Sequence, residues 1–334
     1  MAKKTELRDA PEGDSQLELF APAFVDVAFR DQQDLMENPL CTLGKTPRKE
    51  PIKYQVGNKF VSVTAPPEIG ISTIYDHDIL IWAFTQIREA ADQGLPTSPR
   101  IIFHPYNLLK SIRRETGGRE YGLLKEAIRR LNATLVETNI RPDDQPANGR
   151  KEKTLRFTLL NSSGEITEDN PQDDRWFIEL PSWLYRGVIN HRMVLSIDAD
   201  YFLLTSGLDK WLYRVFRKHA GNQETGWQFT MRQLHAKSGS TQRFSNFALD
   251  VRKALKRATE DNRIPGYALS ISRNADGEEV VSGVSRALLA VDDPQFQPKA
   301  FPRRRVTPGG MTPPKHDNRP LARVLSSPKK PKPV

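Results

Sequence analysis

Cysteine is almost absent. Cys41 stands alone among 334 residues, which excludes an intramolecular disulfide framework and any zinc cluster built on thiolates. Long apolar runs are missing as well. No stretch approaches the roughly 20 residues needed to cross a bilayer, and the opening MAKKTELRDAPEGDSQ lacks the apolar region of a secretory signal, so a cytoplasmic protein with no membrane partner is expected. The histidines, at positions 77, 104, 191, 219, 235 and 316, never stand two apart. They therefore cannot form the His-hydrophobe-His metal site of a DNA-nicking enzyme. Gly44, Lys45 and Thr46 imitate the end of a phosphate loop, but the residue five before Gly44 is Pro39, not glycine. Asp76, His77 and Asp78 come closest to a metal cluster. They lie at an expected helix start, where carboxylates cap backbone amides, and Asp198 and Asp200 read the same way. No catalytic residue, metal or cofactor is assigned.

What the chain does have is one pattern written twice. Residues 106–140 and their approach read as IIFHP, YNLLKSIRR, ETGGRE, YGLLKEAIRRLNA and TLVETNI; the stretch around residues 229–271 reads as GWQFT, MRQLHAKS, GSTQ, RFSNFALDVRKALKRA and YALSIS. Each copy is a short strand, a short helix, a polar break, a longer basic helix and an alternating strand. That order predicts a winged helix-turn-helix, whose second helix is sized for a DNA major groove and whose hairpin lies along the phosphates. Fifty Lys and Arg against 41 Asp and Glu give a net charge of +9. The excess is concentrated in these helices and the C-terminal stretch, which favours a polyanionic partner.

The predicted fold class is α+β, with two winged helix-turn-helix domains at 51–197 and 198–291. A flexible, extended N-terminal arm at 1–50 precedes them, and a disordered basic tail at 292–334 follows. Short strands are expected in IKYQV, KFVSVTA and ISTI, then a helix carrying Ile79, Trp82, Ile87 and Ala90 at helical spacing, closed by Gly94 and Pro96. KTLRFTLL reads as part of the first wing, and Trp211, Leu212, Val215 and Phe216 as core. The tail holds ten prolines, ten Lys or Arg and three Asp, a composition that cannot build a packed core.

Helical faces select the candidate DNA-binding residues. The first long helix has its apolar stripe at Tyr121, Leu124, Ala127, Ile128 and Leu131, which leaves Arg119, Gly122, Glu126, Arg129 and Arg130 toward solvent, and Lys125 joins Arg119, Arg129 and Arg130 as a candidate DNA contact. In the second long helix the stripe is Phe244, Phe247, Ala248, Val251, Leu255 and Ala258. Gln242, Ser245, Asn246, Leu249, Lys253 and Lys256 then point outward, flanked by Arg252 and Arg257 and opposed only by Asp250 near the border, and Arg243 and Arg273 complete the candidates. Amides suit adenine edges, and cations suit guanine or phosphate. The second face is therefore the better DNA reader, because the first carries Glu126.

The stretch QLELF, with Gln16, Leu17, Leu19 and Phe20 in a polar arm, resembles the Q-L-x-L-F peptide by which bacterial proteins dock on the polymerase sliding clamp. Over most of 34–258 the chain resembles the bacterial plasmid replication initiator protein A family. The stretches that carry the likeness are DLMENPLCTLGKTPRKEPIKY, TIYDHDILIWAFTQI, GLPTSPRIIFHPYNLLKSIRRETGGREYGLLKEAIRRLNATLVETNIR, IELPSWLYRGVINHRMVLSIDADYFLLTSGLDKWLYRVFRKHAG and GWQFTMRQLHAKSGSTQRFSNFALDVRKALKR. The resemblance implies a non-enzymatic plasmid replication initiator. It would bind double-stranded origin DNA at repeated sites, promote opening, recruit a host helicase or initiator protein and pair as a homodimer. Two other readings remain open: a winged-helix transcriptional repressor acting on its own promoter, and an origin-nicking endonuclease.

Overall fold

A computed structural model describes residues 20–22, 24–25, 27–140, 154–166, 175–221, 223–260 and 264–296, with the backbone alone at His191. Helices and antiparallel sheets mix throughout. The chain begins with strand β1 (Arg30–Gln32) and helix α1 (Gln33–Glu37), then the β2 (Ile52–Val56) and β3 (Lys59–Thr64) hairpin and the long helix α2 (His77–Asp92). The first repeat follows as β4 (Arg100–Phe103), α3 (Pro105–Ser111), α4 (Gly118–Ala133) and β5 (Leu135–Thr138). Strands β6 (Leu155–Thr158), β7 (Ser162–Ile166) and β8 (Arg175–Glu179), helix α5 (Ser182–Ile189) and strand β9 (Val194–Ser196) lead to α6 (Gly207–Ala220). The second repeat is β10 (Trp227–Thr230), α7 (Met231–Ser238), α8 (Phe244–Glu260), β11 (Tyr267–Arg273) and β12 (Glu279–Ser285).

The two repeats share their element order but close their sheets differently. In the second, one hairpin does everything: β12 pairs with β11 and with β10, giving the order β10-β12-β11. In the first the task is divided. Strands β5 and β6 pair and join β2-β3 in a four-stranded sheet, while β4 takes β8 as its partner in a separate sheet, β4-β8-β7. The β2-β3 hairpin occupies β5 on one side, so β4 finds its hydrogen bonds on the strand contributed by the longer insertion.

Helix α2 is buried on nearly every side, and Ile79, Leu80, Ile81, Trp82, Ala83 and Phe84 are all in the core. The expected one-sided stripe of Ile79, Trp82, Ile87 and Ala90 is thus only part of its buried surface, as befits a helix enclosed by other elements. The N-terminal segment runs along it. Gln86 accepts from Phe24 N at 2.9 Å and donates to Phe24 O at 3.1 Å, and Thr85 Oγ1 accepts from Arg30 N at 2.9 Å.

The expected extended arm to residue 50 therefore needs correction. Asp31, Leu35, Met36, Leu40 and Cys41 are buried, and β1 pairs with β9. Asp31 meets Arg214 of α6 through Nε at 2.7 Å and Nη2 at 3.2 Å, with both side chains enclosed. Glu37 accepts from Lys218 at 2.7 Å and lies 3.4 Å from Lys237 Nζ. A Cβ on Gly207 would overlap the carbonyl oxygen of Leu43. Residues 30–43 form a strap packed between α2 and the second repeat, because their apolar side chains have core sites there and their charges have buried partners. Of the C-terminal tail, residues 290–296 form hydrogen-bonded turns, with Asp293 N donating to Ala290 O at 3.0 Å, and 297–334 lie outside the described residues.

Candidate nucleic-acid interface

The second repeat positions its long helix firmly. Thr230 and Gln233 form a reciprocal capping box at the start of α7, and Gly239 ends that helix in the left-handed region at φ 62°. A Cβ on Gly239 would come 2.8 Å from Pro39 and 2.9 Å from Ile52, while Arg48 donates to its carbonyl oxygen at 2.7 Å. The α7–α8 turn is thus seated on the end of the strap and on the stretch that follows it. From the turn, α8 buries Phe247, Ala248, Val251, Ala254, Leu255 and Ala258. Phe244 is only half-buried. The Arg232 guanidinium covers its ring at 4.9 Å, and the His235 ring lies 5.8 Å away. Arg232 carries no periodic signal in the sequence, since its place over Phe244 depends on how α7 and α8 meet.

The opposite face of α8 is open. Arg243, Ser245, Asn246, Leu249, Arg252, Lys253 and Lys256 are exposed. Among the described residues Arg243 and Lys253 face no carboxylate in an ion pair. Nearby acids are engaged: Asp250 accepts from the Gln242 amide at 3.2 Å, Glu260 lies 3.8 Å from Lys256, and Glu279 takes Arg252 at 2.5 and 3.1 Å. The hydrogen bond between Arg252 and Glu279 holds the carboxyl of Glu279 below its ordinary range and the guanidinium of Arg252 above its own. Arg252 therefore ties α8 to the hairpin. Arg257 reaches the buried Asp209 at 3.5 Å and anchors α8 to α6, and Arg273 donates to Gly277 O at 2.8 Å within its own turn. Of the outward set, Gln242 lies before the helix, and its side chain is held by Asp250.

The corresponding helix in the first repeat is less available. Lys125 pairs with Glu165 at 2.8 Å and Arg129 with Glu126 at 3.7 Å, and Arg119 is exposed. Arg130, expected to point outward, is corrected: it folds back to grip Asp76 with two bonds of 2.8 Å. The expected capping by Asp76 and Asp78 is corrected with it. Asp76 accepts from Thr73 N at 2.8 Å as well as from Arg130, and makes no side-chain cap on α2; Asp78 accepts from Lys210 at 2.9 and 3.0 Å and from Arg114 at 3.2 Å. Asp198 does cap its short helical turn, accepting from Asp200 N at 2.9 Å. Among the described residues no group of three His, Cys, Asp or Glu side chains is placed to hold a metal ion. Nor is any described helix long and apolar enough to cross a membrane.

A family model for Replication initiator protein A matches residues 30–269. The chain belongs to that family. The match to Replication initiator protein A opens on the first residue of β1, so the strap lies inside the family's shared region. A protein of Wigglesworthia glossinidia brevipalpis named "Putative replication protein" is 32% identical over 243 residues, 72% of this chain and 84% of that protein. Among solved structures, domains 2 and 3 of RctB align with a TM-score of 0.56 at 13% identity, covering 76% of this chain and 98% of that one. That likeness is one of fold.

Proposed function

We propose that this member of the replication initiator protein A family is a non-enzymatic plasmid initiator. It binds repeated double-stranded sites at its origin and brings in a host helicase or initiator protein. The observation that carries the reading is the α8 face: Arg243 and Lys253, with no ion pair among the described residues, beside exposed Ser245 and Asn246, on a helix followed by a two-stranded hairpin. We read each repeat as a winged helix, the second as principal base reader and the first as a phosphate contact through Arg119 and Arg129. Cations hold phosphates, and the amide and hydroxyl read base edges. Binding by two units at once can bend the duplex at a cost of roughly 1–6 kcal/mol, offset by added protomers on neighbouring repeats. An autoregulatory repressor would use the same face, and a replication assay separates the two roles.

Binding titrations on a duplex footprinted from the replicon, and on random DNA, test this assignment. Asn246→Ala is expected to cost about 1–3 kcal/mol on the specific site and little on random DNA. Lys253→Ala should weaken both alike and reduce the salt slope by about one unit. Full sequence discrimination in the Asn246→Ala variant would move the reading face elsewhere.

The same proposal gives residues 16–20 a docking role on the polymerase sliding clamp. Gln16, Leu17 and Leu19 lie outside the described residues. Phe20 is described, and the expectation that it is stranded in the arm needs correction: it packs against the core, and its carbonyl oxygen accepts from Ile102 N at 2.9 Å. Clamp docking must therefore release Phe20. A synthetic peptide spanning residues 10–22 should bind purified clamp more tightly than the whole chain does, with micromolar-order affinity, and Leu17→Ala with Leu19→Ala should abolish it. A peptide with no affinity for the clamp would end this part of the proposal.

A further inference from the structure

Leu249 is 47% exposed although its surface neighbours on α8, Ser245, Asn246, Lys253 and Lys256, are all polar. Single exposed leucines are ordinary on protein surfaces. The position of this one singles it out. At about 100° per residue it stands opposite Ala258 and within about 20° of opposite Phe247 and Val251, the residues that seat the helix on the core. By the same count Lys256 and Lys253 lie about 20° and 40° to either side, and Ser245 and Asn246 about 40° and 60°. Leu249 is therefore the side chain at the centre of the face, the first to meet the floor of any groove that α8 enters. Lys253 and Lys256 flank it with positive charge, which suits a polyanion better than an apolar protein surface.

The floor of a major groove presents donors and acceptors at every base pair and one apolar group, the C5-methyl of thymine. We propose that Leu249 is a specificity-determining residue that packs on a thymine methyl near the middle of the recognised site, an assignment that rests on reading α8 as the DNA-reading helix. It adds to the polar readout a contact that needs no hydrogen-bonding partner, and it would distinguish thymine from cytosine where the amides alone are tolerant.

The test compares the footprinted duplex with the same duplex carrying deoxyuridine in place of thymine, which removes the methyl groups and keeps every donor and acceptor. The wild-type chain should bind the uracil duplex about fourfold more weakly for each methyl contacted. Leu249→Ala should bind the thymine duplex with a similar loss and should no longer distinguish the two. Equal wild-type affinity for both duplexes overturns the Leu249 assignment while sequence preference, and with it the reading of α8, stands. A Leu249→Ala variant that still prefers thymine shows that another residue reads the methyl, and also overturns it. A chain that prefers no duplex over random DNA removes both readings together.

Discussion

Chains carrying Asp31→Ala are expected to lose about 3–5 kcal/mol of unfolding free energy at neutral pH. The variant leaves the guanidinium of Arg214, 2% exposed, without the carboxylate that holds it at 2.7 Å. A charge enclosed in this way has no water to replace its partner. The physical content lies in a second variant. Asp31→Leu combined with Arg214→Met removes both charges and keeps the volume apolar, so it should recover most of the loss. Denaturant unfolding of wild type, single and double variants measures both. A single variant that loses less than about 1 kcal/mol would show that the strap is not held by this pair. A double variant as unstable as the single would place the loss in packing rather than in the stranded charge.

Acid should destabilise the fold through two histidines that are kept neutral. Burial, reinforced by the Arg214 charge, holds His77 well below the ordinary range, and its ring nitrogens meet no hydrogen-bond partner among the described residues. Burial together with Lys218 and Lys237 pushes His219 down to about 4, against the pull of Glu37. Both folded values lie below the unfolded one, so the unfolded chain binds the extra protons. The stability is fully present above about pH 6.5 and is lost as pH falls from there toward the folded values, at up to about 1.4 kcal/mol per pH unit for each histidine. Unfolding free energies at pH 7.5, 6.5 and 5.5 check the slope. His77→Leu should cost little at pH 7.5, since no hydrogen bond is broken, and should remove one proton from the dependence. A pH-independent stability across that window would contradict neutral burial of both rings.

How the chain is held together was harder to read from sequence than which elements it has. The order strand, short helix, long helix, strand is local, and each step has a local cause: alternation in YALSIS, a stripe in RFSNFALDVRKALKRA, a polar break at GSTQ. Those elements fold as the periodicity indicates. The α8 stripe is legible for the same reason, with Phe247, Val251, Leu255 and Ala258 buried at the expected spacing. Phe244, at the helix start, lies half-buried under Arg232 because the stripe extends there beyond the core. Leu249 was legible as outward, but its place at the centre of an otherwise polar and cationic face is a property of the assembled helix.

Charged residues mark the limit. Periodicity assigns a lysine or arginine to solvent by default, since burying a lone charge is prohibitive. Lys210, Arg214 and Arg130 break that default only because Asp78, Asp31 and Asp76 arrive from segments far away in the chain. The same separation hides the strap: residues 30–43 have too few apolar positions to show a period, and they pack because α2 and α6 supply a core on either side. By itself the sequence determined the repeated helices, their apolar stripes and the basic face of α8, all set by contacts within a few residues. Only the tertiary structure decided which charges are buried, which strand β4 pairs with and how the strap joins α2 to the second repeat. Each of those depends on a partner that lies many residues away and is met only when the chain has folded.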